Sequence, residues 1–375
     1  MEDAKAWARR ASTDEERGEF VDPRDGSITL ADYIALHWAP GAGGAPKTLK
    51  DRERRVRLHI VPHLGNLPLR SITASELRAY IVILESTVNS VDYQRGVLSL
   101  LSSILATAVD DKRLVRNPMY AKSVRWPRRP KQRRAAWKIA TALRVREVIS
   151  PRSRIAVVLG LGCGLRQGEV FGLSPADVDY PRGVLHVRRQ VQTLDGKPYF
   201  ALPKGSKTRT VDMPSSVAEE LQRHAEVFSP VEVELPWEKP GADRPRRTSS
   251  LLLSTRFGNA VTANTWNTYT WKPALAKAGI IPPLDADAKP WQWKAAPSDG
   301  FHVLRHTYAS LMLEAGESVV TLARWLGHSS PAITLSYYAH FMPEAGSKGR
   351  TAIDGLLGSQ EGQDASGNSP DSPQG

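Results

Sequence analysis

The sequence predicts a mainly α protein with a small antiparallel β-meander, an α+β chain built as a helical domain followed by a larger mixed domain. Three observations carry this. Apolar residues recur at helical spacing in most segments from residue 28 onward. Strict alternation is read in one stretch only, within 184–214, where the turn signals DG and KGS punctuate it. Residues 122–134, KSVRWPRRPKQRR, place seven basic residues and two prolines in thirteen positions and so divide the chain. Its 375 residues fit about two domains.

Residues 1–27 are polar and mixed in charge, with a short helix expected at Asp3–Arg17 and nothing able to form a core. Residues 28–121 read as a bundle of four or five helices. ITLADYIALHWA opens it, and PGAGGAP breaks the chain at 40–46. A basic helix then ends near Pro62 and Gly65. Thr73 precedes Glu76 by three residues, the capping-box spacing. QRGVLSLLSSILATAVDDKRL supplies a further amphipathic helix. His59 and His63 are four apart, but Pro62 between them favours packing over metal binding. The segment 122–135 is an interdomain linker. Proline keeps it extended, and its charge density suits a phosphate backbone.

In the second domain, 136–345, helices are expected at Trp137–Ser150, Arg154–Leu161 and Ser216–Phe228, with the meander between the last two. Residues 229–250 and 281–299, rich in proline and charge, read as surface loops. Helices follow at 262–278, 301–315, 318–327 and 330–341. The tail, 346–375, carries no Lys or Arg after residue 350 and many Ser, Gly, Pro and Gln, a composition that cannot bury a core.

Lys and Arg number 51 against 39 Asp and Glu, a net charge of +12, which favours a polyanionic partner. No run of 18 apolar residues exists, so no membrane span is expected. The N-terminus has no apolar leader, which points to the cytoplasm. The single cysteine, Cys163, excludes an internal disulfide framework and a multi-cysteine zinc site.

Four segments carry chemistry. In GCGLRQGEVFGL (162–173), Arg166 enters a helix with Glu169 three residues on, placed to hold the guanidinium. In LPKGSKTRTVDMP (202–214), Lys204 and Lys207 sit at a hairpin turn. In FHVLRHTYASLML (301–313), His302 and Arg305 share a helical face, and His306 lies on another. In LGHSSPAITLSYYAHF (326–341), His328 follows Gly327, and Tyr337 and Tyr338 come late. Singly, each is an ordinary surface or core feature. Together, two arginines, two histidines, a lysine and a late tyrosine form a phosphoryl-transfer set that needs no metal or cofactor. Guanidiniums stabilise phosphate oxygens as charge grows on them. A phenol near cations can act as nucleophile. Lysine can protonate a departing oxygen.

The ordered set R…K…HxxR…GH…Y resembles the tyrosine recombinases, and more closely their phage-type integrases, over roughly 28–345. That resemblance implies a helical core-binding (SAM-like) domain and a tyrosine-recombinase catalytic domain clamping duplex DNA. It implies Arg166, Lys204, His302, Arg305, His328 and the nucleophile Tyr338 as the catalytic set. Glu169 supports Arg166, and Lys207 is the fallback for Lys204. Tyr338 is preferred over Tyr337 because the family's Y-x-H fits Tyr338-Ala339-His340. The DNA-binding linker residues are Lys122, Arg125, Arg128, Arg129, Lys131, Arg133 and Arg134. Implied partners are double-stranded attachment sites, three further protomers in a tetramer on synapsed DNA, and accessory DNA-bending or excision factors on the nucleoid. Residues 1–27 resemble the exit helix of an arm-binding domain without its sheet. A type IB topoisomerase would share the chemistry but not the small helical front domain. An inactive regulator on the same fold would have lost one of Arg166, Arg305 or Tyr338.

Overall fold

The computed structural model describes residues 25–129, 136–339 and 353–357. The chain divides into two compact units, Met1–Gln132 and Arg133–Gly375, with the division inside the basic segment 122–135. The expected helix at Asp3–Arg17, the linker residues Lys131, Arg133 and Arg134, His340, and most of the tail lie outside the described residues.

The described residues of the first unit form helices and their connections, with one isolated bridge between Thr29 and Pro68. Helix α1 (30–41) starts at Thr29, whose hydroxyl accepts the Asp32 N–H at 3.1 Å. The PGAGGAP break follows, then α2 (46–64), α3 (Ala74–Thr87) and α4 (Val91–Asp110). Thr73 caps α3 by accepting from the Glu76 N–H, and Ser90 caps α4 in the same way. The apolar stripes of these helices meet in one core around Leu30, Tyr33, Ile60, Leu77, Leu98 and Leu101. His59 and His63 lie against the rings of Tyr93 and Tyr80, as the packing reading expects. The start of the basic segment belongs to this unit. Arg95 donates to the Pro127 carbonyl at 2.8 Å and lies over Trp126, while Lys122, Arg125, Arg128 and Arg129 are exposed.

The second unit begins with α5 (Ile139–Val148), α6 (Pro151–Gly162) and the short α7 (Gln167–Phe171). The strands are β1 (Val178–Asp179), β2 (Val184–Val187), β3 (Gln190–Leu194), β4 (Lys197–Ala201) and β5 (Arg209–Asp212). These five strands pair antiparallel with one another, but the order is not that of a simple meander. β2 pairs with β5 and β1, and the β3–β4 hairpin forms its own two-stranded sheet. Leu185 and Val211 face each other across β2 and β5 and are fully buried, so this register seats the sheet on the helices.

Helix α8 (Ser215–Val227) follows. The expected loop at 229–250 is instead largely a hairpin, β6 (Val231–Pro236) with β7 (Arg246–Leu251). Val233 and Leu235 alternate inward there, a period-two signal that the surrounding prolines and charges disguise. Residues 281–299 are irregular but for one short turn, Pro297–Asp299, as a loop should be.

The unit closes with α9 (263–277), α10 (His302–Glu314), α11 (Val319–Leu326) and α12 (Pro331–Tyr338). Trp137, Trp266, Trp271 and Phe301 stack into an aromatic knot, with Trp271 Nε1 donating to the Asp299 carbonyl at 2.8 Å. This knot fixes the start of α10. Among the described residues no helix is long and apolar enough to cross a membrane.

Candidate active site

The site is built around one helix end. The last carbonyls of an α-helix lack intrahelical partners and carry the negative end of its dipole. At the end of α11 three successive carbonyls accept from three arginines. Trp325 O accepts from Arg209 Nε at 2.6 Å, Leu326 O from Arg305 Nη2, and Gly327 O from Arg166 Nη2 at a longer 3.4 Å. Gly327 terminates the helix in the left-handed region, at φ 64°. There a side chain would be strained, and its Cβ would stand 3.0 Å from Arg209 Cδ. The next residue is His328, delivered to the same place by this turn.

Arg305 comes from the first turn of α10 and is 1% exposed. Its second anchor is the Gly164 carbonyl, at 2.8 Å. Gly164 has φ +60°, and a Cβ there would lie 2.4 Å from the Tyr308 ring, so glycine is required on both counts. Burial first, then the Arg166 charge, push the Arg305 guanidinium down to about 9, which leaves it cationic at neutral pH.

Glu169 organises the other two arginines. Its carboxylate is fully buried and accepts Arg209 Nη1 at 2.8 Å, Arg209 Nη2 at 2.6 Å and Arg166 Nη1 at 2.9 Å. It also accepts the Arg166 backbone N–H at 2.9 Å, closing a cap on α7. Burial alone would raise this carboxyl, but the hydrogen bonds and charge of Arg209, and then Arg166, hold it near 2. Three guanidiniums against one carboxylate leave two net positive charges, an anion-binding centre.

His328 donates to or accepts from Thr334 Oγ1 through Nδ1 at 2.8 Å. Burial, then Arg305, Arg166 and Arg209, lower it to about 4, so it is neutral at pH 7. Tyr338, at the end of α12, is 2% exposed and packs with Tyr308, Leu313, Leu322 and Leu326. Its hydroxyl lies 2.5 Å from His306 Nδ1. Tyr337 is 37% exposed.

The structure therefore brings together Arg166, Glu169, Arg305 and His328, with Tyr338 coupled electrostatically to Arg305. His302 is exposed at the first position of α10, its ring 4.7 Å from that of His306. Lys204 stands in the exposed turn between β4 and β5. Among the described residues no hydrogen bond or ion pair joins Lys204 or Lys207 to the cluster, although their turn leads directly into Arg209. Two residues escaped the sequence reading. Arg209 is visible as the arginine of KTRTV, but its partner Glu169 is 40 positions away. His306 follows Arg305 directly, and helical geometry alone gives no reason to aim it at Tyr338. Among the described residues no three His, Cys, Asp or Glu side chains group as a metal site.

The chain is similar to known proteins in both units. The sequence pattern of the phage integrase family matches residues 132–344, and that of the phage integrase N-terminal SAM-like domain matches 45–84. A tyrosine recombinase XerC-like protein of Caldanaerobacter subterraneus subsp. tengcongensis is 29% identical over 281 residues, 67% of this chain and 65% of that relative's length. Among solved structures, the Tn1549 transposon integrase in complex with transposon right end DNA aligns at TM-score 0.69 and 20% identity, covering 88% of this chain and all of that one. The lambda integrase tetramer bound to a Holliday junction aligns at 0.58 and 18%, covering 88% of this chain and 82% of that one. At these identities the two structures establish a common fold. The family pattern spans more than half of the sequence, and this chain belongs to the phage integrase family.

Proposed function

We propose that this protein is a site-specific DNA recombinase that integrates or excises a phage or other mobile element by cutting and rejoining DNA through a 3′-phosphotyrosyl intermediate. The observation that carries the reading is the convergence of Arg166, Arg305 and His328 on the carbonyl end of α11, with the Tyr338 hydroxyl beside the same helices. In this reading the scissile phosphate sits between the guanidiniums of Arg166 and Arg305, which neutralise its non-bridging oxygens as the transition state forms. Neutral His328, oriented through Thr334, donates a further hydrogen bond. Tyr338 attacks phosphorus, and the 5′ oxygen leaves with a proton from Lys204. The exposed turn that carries Lys204 closes onto bound DNA, and the Arg209–Glu169 clamp fixes its base. His302 lies at the rim of the site, where it assists the same phosphate. The phosphotyrosyl bond conserves the phosphodiester energy, so a partner strand's 5′ hydroxyl reseals the junction without ATP.

The helical unit 28–121 binds the outer part of each half-site, and the 136–345 unit binds the crossover. Lys122, Arg125, Arg128, Arg129, Lys131, Arg133 and Arg134 follow the phosphate backbone between them. Four protomers synapse two attachment sites, with accessory DNA-bending or excision factors on the nucleoid in the cytoplasm setting direction. The lambda integrase tetramer supports that assembly by likeness of fold.

The test uses an end-labelled library of nicked duplexes with a randomised core. Nicking lets the short downstream strand diffuse away after attack and traps the adduct. Wild-type protein should yield a denaturation-resistant protein–DNA band, and sequencing the trapped DNA would give the site. Tyr338→Phe should bind the selected DNA and yield no band. Tight binding without any adduct from wild type would favour the inactive-regulator reading.

A further inference from the structure

A histidine outside the expected catalytic set touches the proposed nucleophile. His306 Nδ1 lies 2.5 Å from the Tyr338 hydroxyl, across two helices that the chain brings together from 32 residues apart. We propose that His306 is the general base that takes the phenolic proton of Tyr338 during attack, a role distinct from that of His302. The proposal rests on the strand-transfer reading above.

Geometry is the first support. A general base must stand within about 2.6–3.2 Å, or through one water, of the proton that it removes. His306 already touches the Tyr338 hydroxyl, at the short end of that reach, without any movement of α12. Access is the second. Tyr338 is 2% exposed, so bulk water is poorly placed to accept its proton, whereas half-buried His306 leads outward to exposed His302, ring to ring at 4.7 Å. Neighbouring charge is the third. Among the described residues, the titratable and charged groups facing His306 include His302 on its own helix, Tyr338 on α12 and His328 after α11, and Arg305 acts electrostatically on Tyr338. Arg305 favours the phenolate as it forms, which eases transfer to an imidazole.

The step balances. The Tyr338 O–H bond breaks and its proton joins His306 Nδ1, while the oxygen forms the new bond to phosphorus. The phosphorus–O5′ bond breaks, and its electron pair leaves with O5′, which takes a proton from Lys204. Resealing runs the same transfers backward, so His306 returns its proton to the departing phenol. The neutral imidazole must carry its proton on Nε2 for this role.

Three proteins test the proposal on the DNA selected from the nicked library: wild type, His306→Asn and His306→Ala. Asparagine places an amide oxygen where Nδ1 lies and keeps the hydrogen bond without accepting a proton. Both variants should bind this DNA like wild type and form the adduct about 10²–10⁴ times more slowly. The acidic limb that an imidazole gives the rate–pH profile should vanish in both. Added imidazole should restore His306→Ala, by filling the vacated space, and not His306→Asn. Adduct formation by His306→Asn within about threefold of wild type, with the limb retained, would make His306 a mere support for Tyr338 and overturn the proposal. Loss of DNA affinity in both variants would do the same. Failure of wild type to form any adduct would instead remove the strand-transfer reading, and the base assignment with it.

Discussion

Arg209→Met isolates the clamp that holds the site together. Arg209 gives Glu169 two charge-assisted hydrogen bonds, at 2.8 and 2.6 Å, and gives the end of α11 a third, at 2.6 Å. Glu169 has no exposed side-chain surface, so its charge depends on these partners. Holding a carboxyl near 2 against an ordinary 4.5 corresponds to about 3 kcal/mol of differential stabilisation of the charged form. Removing one partner of a buried ion pair costs about 3–5 kcal/mol, because the remaining charge is stranded. Methionine fills much of the volume, so this electrostatic loss dominates. For a unit of this size the melting temperature should fall by about 10 °C. Calorimetry of the full chain would resolve the transition of the catalytic unit. The double variant Glu169→Gln with Arg209→Met should lose clearly less than the sum of the two single losses, since neither member of the Arg209–Glu169 pair is left charged and unpartnered in it. A melting point for Arg209→Met within about 2 °C of wild type, or strict additivity in the cycle, would refute the clamp.

Three further outcomes follow from the same geometry, and a fourth from the basic segment. His328 is held near 4 when folded, whereas an unfolded histidine binds its proton near 6.5. The unfolded chain therefore takes up protons first, and stability should fall as pH drops from about 6.5 to 4. His328→Asn should flatten that part of a melting-temperature profile, and a profile unchanged by the substitution would count against a neutral His328. The stability that Glu169 contributes is present above its unfolded value and should be lost at lower pH, from about 4.5 down to 2. Gly327→Ala forces a side chain into the left-handed region against Arg209 and should cost about 1–2 kcal/mol in thermal melting, with a loss of adduct formation greater than the loss of DNA affinity. Replacing exposed Lys122, Arg125 and Arg128 together by Gln should lower the slope of log affinity against log salt by about 0.9 for each phosphate that these side chains neutralise. An unchanged slope in a filter-binding titration would take the linker off the DNA.

The legible part of this protein was what local sequence controls. Helices announced themselves by periodicity and by Thr73 as a cap. Gly327 before His328 marked a helix end that matters chemically. Non-local pairing was not legible. Nothing in residues 184–212 tells β2 to skip the β3–β4 hairpin and pair with β5, because that choice is made by burying Leu185 and Val211 on the helices. The β6–β7 hairpin was hidden by composition, although VEVELP alternates. In the site, the ordered motif pointed to Arg166, Glu169, Arg305, His328 and Tyr338. It could not show that three arginines share consecutive carbonyls of one helix end, nor that Arg209 is the main partner of Glu169. Those facts arise where four separate segments meet.

Peptide mapping of the trapped adduct tests the central claim most directly. After nuclease digestion of the DNA and proteolysis, mass spectrometry should find the residual nucleotide on Tyr338. Modification of Tyr337, or of a serine in 329–336, would contradict a site centred on Arg166, Arg305 and Tyr338.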